Sequence, residues 1–105
     1  MDSQINRIIT VYKNKLEKSG ISVEKMILFG SHAKNQIHEN SDIDLVVVSD
    51  DFRDMDLWER SCLLGRARVG IYHAMDIKGI TQKELEEAEQ GSFIHDEVLM
   101  KGLEV

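Results

Sequence analysis

The sequence predicts an α/β domain, and three observations carry that prediction. Two short apolar runs, Lys25–Phe29 and Asp42–Val48, have the length and residue types of strands. Segments of helical period stand before, between and after them, in the order αβ(α)βαβαα(β). The 105 residues contain no proline, repeat, low-complexity tract or linker, so one core is expected, burying about 65% of the unfolded surface.

In chain order, residues 3–19 predict a helix whose apolar face is Ile5, Ile8, Ile9, Tyr12 and Leu16, closed by Gly20. Strand one is nearly all apolar, which suits a strand covered on both sides. It ends at Gly30-Ser31, followed by a short helical turn over 31–36 and a polar loop to Ser41. In strand two, residues i and i+2 share a face. Asp42 and Asp44 therefore emerge side by side, with Val46 and Val48 continuing their face and Ile43, Leu45 and Val47 on the other. Half-buried, two such anions would repel by about 2–4 kcal/mol, and a divalent cation with oxygen ligands, as Mg²⁺ prefers, relieves that repulsion.

The segment DDFRDMD, residues 50–56, is read as a solvated loop opening the next helix, with aspartate at its positive end. Helix two is expected over about Met55–Arg68, with Leu57, Trp58, Cys62 and Leu63 inward and Arg60, Arg66 and Arg68 on its solvated side. Strand three is read over residues 71–80. Asp76 lies within it on one face with Tyr72, Ala74 and Lys78, a position that requires exposure or a partner because strands disfavour aspartate. Thr81-x-x-Glu84 is a capping box opening a short helix. A last helix follows Ser92, with Ile94, Val98 and Leu99 inward, and residues 103–105 add an edge strand.

Several function classes drop out. Cys62 is the single cysteine, which excludes an internal disulfide and a cysteine zinc cluster, and a buried structural thiol is expected. A net charge of −6 argues against general nucleic-acid binding. No apolar run approaches the ~20 residues of a membrane span and no signal-peptide pattern opens the chain, so the cytoplasm is the expected location. Gly65 and Gly70 have P-loop spacing, but Ile71 and Tyr72 stand where lysine and serine or threonine are required. No Gly-x-Gly-x-x-Gly occurs. Ser31 beside His32 is a poor nucleophile–base pair, because adjacent side chains diverge.

What remains is Gly30-Ser31, then ten residues, then Asp42-Ile43-Asp44, and later Asp76. This resembles the nucleotidyltransferase superfamily that includes DNA polymerase beta. It is most similar to the minimal nucleotidyltransferase family of bacteria and archaea. FGSHAKNQIHENSDIDLVVV is similar to that family's core segment and SFIHDEVLMKGLEV to its C-terminal helix and edge strand. The resemblance implies a polymerase beta-like fold, a small mixed sheet with flanking helices in one domain over residues 1–105. It implies that Asp42 and Asp44 hold two Mg²⁺ ions, that Asp76 completes the site as ligand or base, and that the reaction transfers NMP, most readily AMP from ATP, releasing pyrophosphate. Gly30 and Ser31 then cup the triphosphate with backbone N–H groups as a nest, and Lys34 reaches a phosphate as a point charge. Where the family often has a basic residue followed by glycine, this chain has Lys34-Asn35, and asparagine tolerates the left-handed backbone.

Larger relatives append a helical domain that holds base and acceptor. The expectation here is that a partner or a second copy of the chain supplies that wall. In the family such a chain is paired with a small helical protein of the HEPN type as toxin and antitoxin, the transferase neutralising its partner by attaching AMP. Two other readings stand beside this one: a catalytically idle antitoxin that works by binding, and a small-molecule transferase of the aminoglycoside-modifying type.

Overall fold

The computed structural model describes residues 3–30 and 42–105. Its elements are α1 (Ser3–Lys18), β1 (Lys25–Phe29), β2 (Ile43–Val48), a 3₁₀ turn (Asp50–Phe52), α2 (Leu57–Ala67), β3 (Met75–Ile80), α3 (Gln82–Glu86), a π-helical turn (Ile94–Leu99) and β4 (Leu103–Glu104). The strands form one mixed sheet in the order β3-β2-β1-β4. β1 runs antiparallel to β2 and to β4, while β2 and β3 are parallel.

Both faces of the sheet are covered, as the apolar character of β1 and β2 requires. On one face Met26, Leu28, Ile43, Leu45 and Val47 pack against Ile5, Ile9, Tyr12 and Leu16 of α1 and Leu64 and Ala67 of α2. On the other, Ile27, Phe29, Val46 and Val48 pack with Ile80, Leu85 and Val98. The predicted face of α1 is therefore the observed one. Tyr12 is fully buried, its hydroxyl donating to the Leu64 carbonyl at 2.8 Å, and burial pushes its pKa up.

Three of the four aspartates of residues 50–56 serve local structure. Asp51 accepts from the Ser22 N–H at 2.8 Å, Asp50 pairs with Arg53, and Asp56 caps α2 in a capping box with Glu59.

α2 corrects the expected orientation. Arg60 is 7% exposed, whereas Leu57 and Trp58 are 78% and 76% exposed. The helix starts only at Leu57, so these two residues occupy its first turn, off the sheet. Leu64 and Ala67 then define the inner stripe together with Arg60. Arg60 is held by acceptors rather than water: Nε donates to Met55 O (3.0 Å), Nη1 to Gly79 O (3.1 Å) and Glu84 Oε1 (2.8 Å), and Nη2 to Phe52 O (2.8 Å). Cys62 is partly exposed rather than buried.

β3 is shorter than expected because its partner runs out. β2 begins at Ile43, which pairs with Met75, so residues 71–74 have no β2 ladder to join. In the π-helical turn the i→i+5 bonding, such as Met100 N–H to His95 O, turns Leu99 out to 42% exposure while Val98 stays buried.

The Thr81–Glu84 capping box forms as predicted. Burial alone would raise the pKa of Glu84, but the Thr81 N–H and the Arg60 guanidinium outweigh it, and the carboxyl lies below its usual range. A depressed folded pKa adds stability that is present above the unfolded value and is lost as pH falls through the folded one. Glu84→Gln should therefore cost stability at neutral pH and flatten the acid limb below about pH 4.5, measured by urea unfolding across pH 3–7.

Candidate functional site

The site begins at the end of β1. Phe29 pairs with Asp44 across the antiparallel ladder, and Gly30 follows in a left-handed conformation with φ +70°. A Cβ on Gly30 would collide with the Asp44 carboxylate. Glycine is thus needed twice over, for its backbone angle and for the space Asp44 occupies. Gly30→Ala is expected to destabilise by about 2 kcal/mol from the left-handed backbone alone. It should also displace Asp44, so nucleotide-dependent activity falls more than the folded fraction does; thermal melts and turnover on the same sample separate the two effects.

Across the parallel ladder Asp44 pairs directly with Asp76. Directly paired residues of neighbouring strands point to the same face, so the two carboxylates stand side by side on adjacent strands. Asp42, exposed, lies one residue before β2 and two before Asp44. Three of the predicted residues are thereby brought to one end of the sheet, with Gly30 beside them. Ser31 and Lys34, predicted to hold phosphate, lie outside the described residues.

The donor set is all carboxylate oxygen, the chemistry of a hard divalent cation. The side chains are not gathered into a ready-made cage: among the described residues no three His, Cys, Asp or Glu groups are placed to hold one ion.

Two further residues share this face, and their roles were not assigned from the sequence. The Lys78 Nζ lies 3.7 Å from Asp76 Oδ1 and 5.8 Å above the Phe93 ring. Phe93 in turn meets Phe29 edge to face, with ring centres 5.3 Å apart. The i, i+2 spacing of Asp76 and Lys78 was readable, but the approach of Phe93 from the C-terminal segment was not. Lys78 places a positive charge beside Asp76, where it can offset the charge of the carboxylates.

A mixed sheet with paired aspartates at one end and helices on both faces matches the expected polymerase beta-like nucleotidyltransferase fold. Solved structures share it. A protein assigned as a nucleotidyltransferase from Sulfolobus solfataricus superposes with a TM-score of 0.63 at 19% identity, over 99% of this chain and 86% of that one. A toxin–antitoxin structure with AMP-PNP gives 0.59 at 24%, over 89% and 68% of the respective chains. An MntA–HpeT toxin–antitoxin variant, in which two aspartates two positions apart are glutamates, gives 0.55 at 22%, over 94% and 69%. No curated protein matches the sequence. Residues 8–105 match the model of the nucleotidyltransferase domain, and the chain belongs to that family. It is an enzyme of the nucleotidyltransferase class.

Proposed function

We propose that this chain is a Mg²⁺-dependent transferase that moves AMP from ATP to a hydroxyl on a partner protein, and that it acts as the antitoxin of a small helical toxin of the HEPN type. The observation that carries the chemistry is the register of Asp44 on Asp76 beside a glycine that leaves room for the carboxylate. The partner follows from the likeness to two toxin–antitoxin structures, one with AMP-PNP and one altered at an aspartate pair of the same spacing.

In this reading Asp42, Asp44 and Asp76 are the residues that would hold two divalent ions; when bound, these supply charge neutralisation at the phosphates and at the attacking oxygen. The acceptor oxygen forms a bond to the α-phosphorus, the bond from that phosphorus to the bridging oxygen breaks, and pyrophosphate leaves. Asp76 takes the acceptor's proton. Lys78 offers its ammonium to the phosphates once Asp76 turns to this work, and Gly30, with Ser31 and Lys34, receives the triphosphate.

The test is co-expression with a small helical protein of the HEPN type, taken from beside this chain's gene, followed by incubation of the purified pair with α-labelled ATP and Mg²⁺. Label on the partner, lost on adding a chelator, is the expected result. A folded protein that leaves the partner unlabelled overturns the proposal.

A further inference from the structure

β3 is an edge strand among the described residues, and its outer side has the form of a slot. Ala74 and Ile80 turn their carbonyls towards the β2 side, to Ile43 N–H and Ser49 N–H, both at 2.9 Å. The alternation of a strand then turns the main-chain groups of Met75, Ile77 and Gly79 outward. The two ends of this edge are closed by guanidinium groups. Arg60 takes the Gly79 carbonyl at 3.1 Å, and Arg68 approaches the His73 carbonyl at 3.5 Å. Between them the N–H and C=O groups of Met75 and Ile77 stay open among the described residues.

Walls flank this open edge on both faces of the sheet. A groove of about 540 Å³ runs along Asp76–Ile80, bounded by Leu57, Ser61 and Leu64 of α2 on one side and by Glu84 and Ile94 on the other. A second hollow of about 220 Å³ continues it past Met75 to Gly65 and Arg68. Asp76 borders both. Arg68 adds an unmet requirement: its Nε is buried with no acceptor among the described residues. Such a donor is costly unless an oxygen meets it.

We propose that this slot receives the acceptor, an extended segment of the partner protein that adds to β3 as a fifth strand and carries a hydroxyl side chain to Asp76. An exposed edge is the feature that extended peptides recognise, with affinity from main-chain bonds. A helical or small-molecule occupant would leave the outward groups of Met75 and Ile77 unpaired. Charge points the same way: the Arg68 Nε lacks an acceptor among the described residues at one end, while Glu84, the acid at the other, is already taken by Arg60. The occupant therefore carries an acidic residue near the Arg68 end. The inference rests on the transferase reading for its purpose, and on the edge geometry alone for its binding mode.

The experiment uses the full chain and a six-residue probe, acetyl-Val-Glu-Val-Tyr-Val-Glu-amide, beside a twin N-methylated at alternate residues. At millimolar probe, amide hydrogen exchange at Met75 and Ile77 is expected to slow by about tenfold or more, and the twin should give no protection. Ser61→Trp, which fills the slot from its exposed wall, should abolish protection while AMP-PNP affinity stays unchanged. Arg68→Gln should weaken the probe by about tenfold, the loss of one charge-assisted bond, and stands in for Ser61→Trp if that variant does not fold. Unchanged exchange at both amides, or equal protection by the twin, overturns the slot. These readings need no chemistry. If the edge is protected but ATP with Mg²⁺ leaves the tyrosine unmodified, the slot stands and the transfer to protein falls.

Discussion

Asp44→Asn is expected to lower nucleotidyl transfer by about 10³-fold or more, while the unfolding midpoint changes little. The size follows from the several kcal/mol that a metal-held charge contributes to such a transition state, at 1.36 kcal/mol per factor of ten. Asparagine keeps the shape of the side chain lying over Gly30 but removes the anion that pairs in register with Asp76. The measurement is single-turnover transfer of labelled AMP together with urea unfolding of the same preparation. Paired with Asp42→Asn, the variant also decides between catalysis and simple covering of the partner. If toxin neutralisation in cells survives the double change undiminished, the chain works by binding alone.

The second large effect is on stability. Arg60→Ala should cost about 3 kcal/mol or more, seen as a fall in the urea midpoint with little change in slope. Its guanidinium satisfies the carbonyls of Phe52, Met55 and Gly79 and draws the 3₁₀ turn, α2, β3 and α3 together through Glu84. Each buried acceptor left unpaired costs about 1–3 kcal/mol. Glu84 is a lesser partner, since its side chain is 47% exposed and exposed pairs contribute about 1 kcal/mol or less. A double-mutant cycle of Arg60→Ala with Glu84→Ala is therefore expected to give a coupling well below the single Arg60 loss. A coupling equal to the whole loss would show that the ion pair, and not the carbonyls, holds this junction.

Both predictions meet at β3. Gly79 accepts Arg60 through its carbonyl and lies under Phe52, whose ring is 2.9 Å from where a Cβ would stand. Three residues earlier the same strand presents Asp76 to the site. Arg60 therefore fixes the strand that carries the third carboxylate, and its loss should reach activity even in the folded fraction.

The elements themselves were legible in the chain. The period of Ile5, Ile9, Tyr12 and Leu16, the apolar runs of β1 and β2, and the Thr81–Glu84 box are local patterns, fixed by which residues lie three, four or two apart. The same parity put Asp42 with Asp44 and Asp76 with Lys78. Local pattern failed where a distant group changed the value of a position. Arg60 reads as solvated in any helical projection, and only carbonyls from Phe52 and Gly79, brought up by the 3₁₀ turn and β3, make its burial favourable. Leu57 and Trp58 read as core, and only the late start of α2 at the Asp56 cap leaves them in water.

By itself, then, the sequence determined the element types and the double cover of the central strands, and it named the acidic residues that are candidates for the site. Tertiary structure alone decided that Asp44 sits opposite Asp76, because register between strands separated by a whole crossover is set by packing of both cores and not by either strand. It also decided that Gly30 makes room for Asp44, that Lys78 and Phe93 join the face, and that β3 ends the sheet with an open edge among the described residues. Each of these is a relation between residues far apart in the chain, and no periodicity within one segment encodes it.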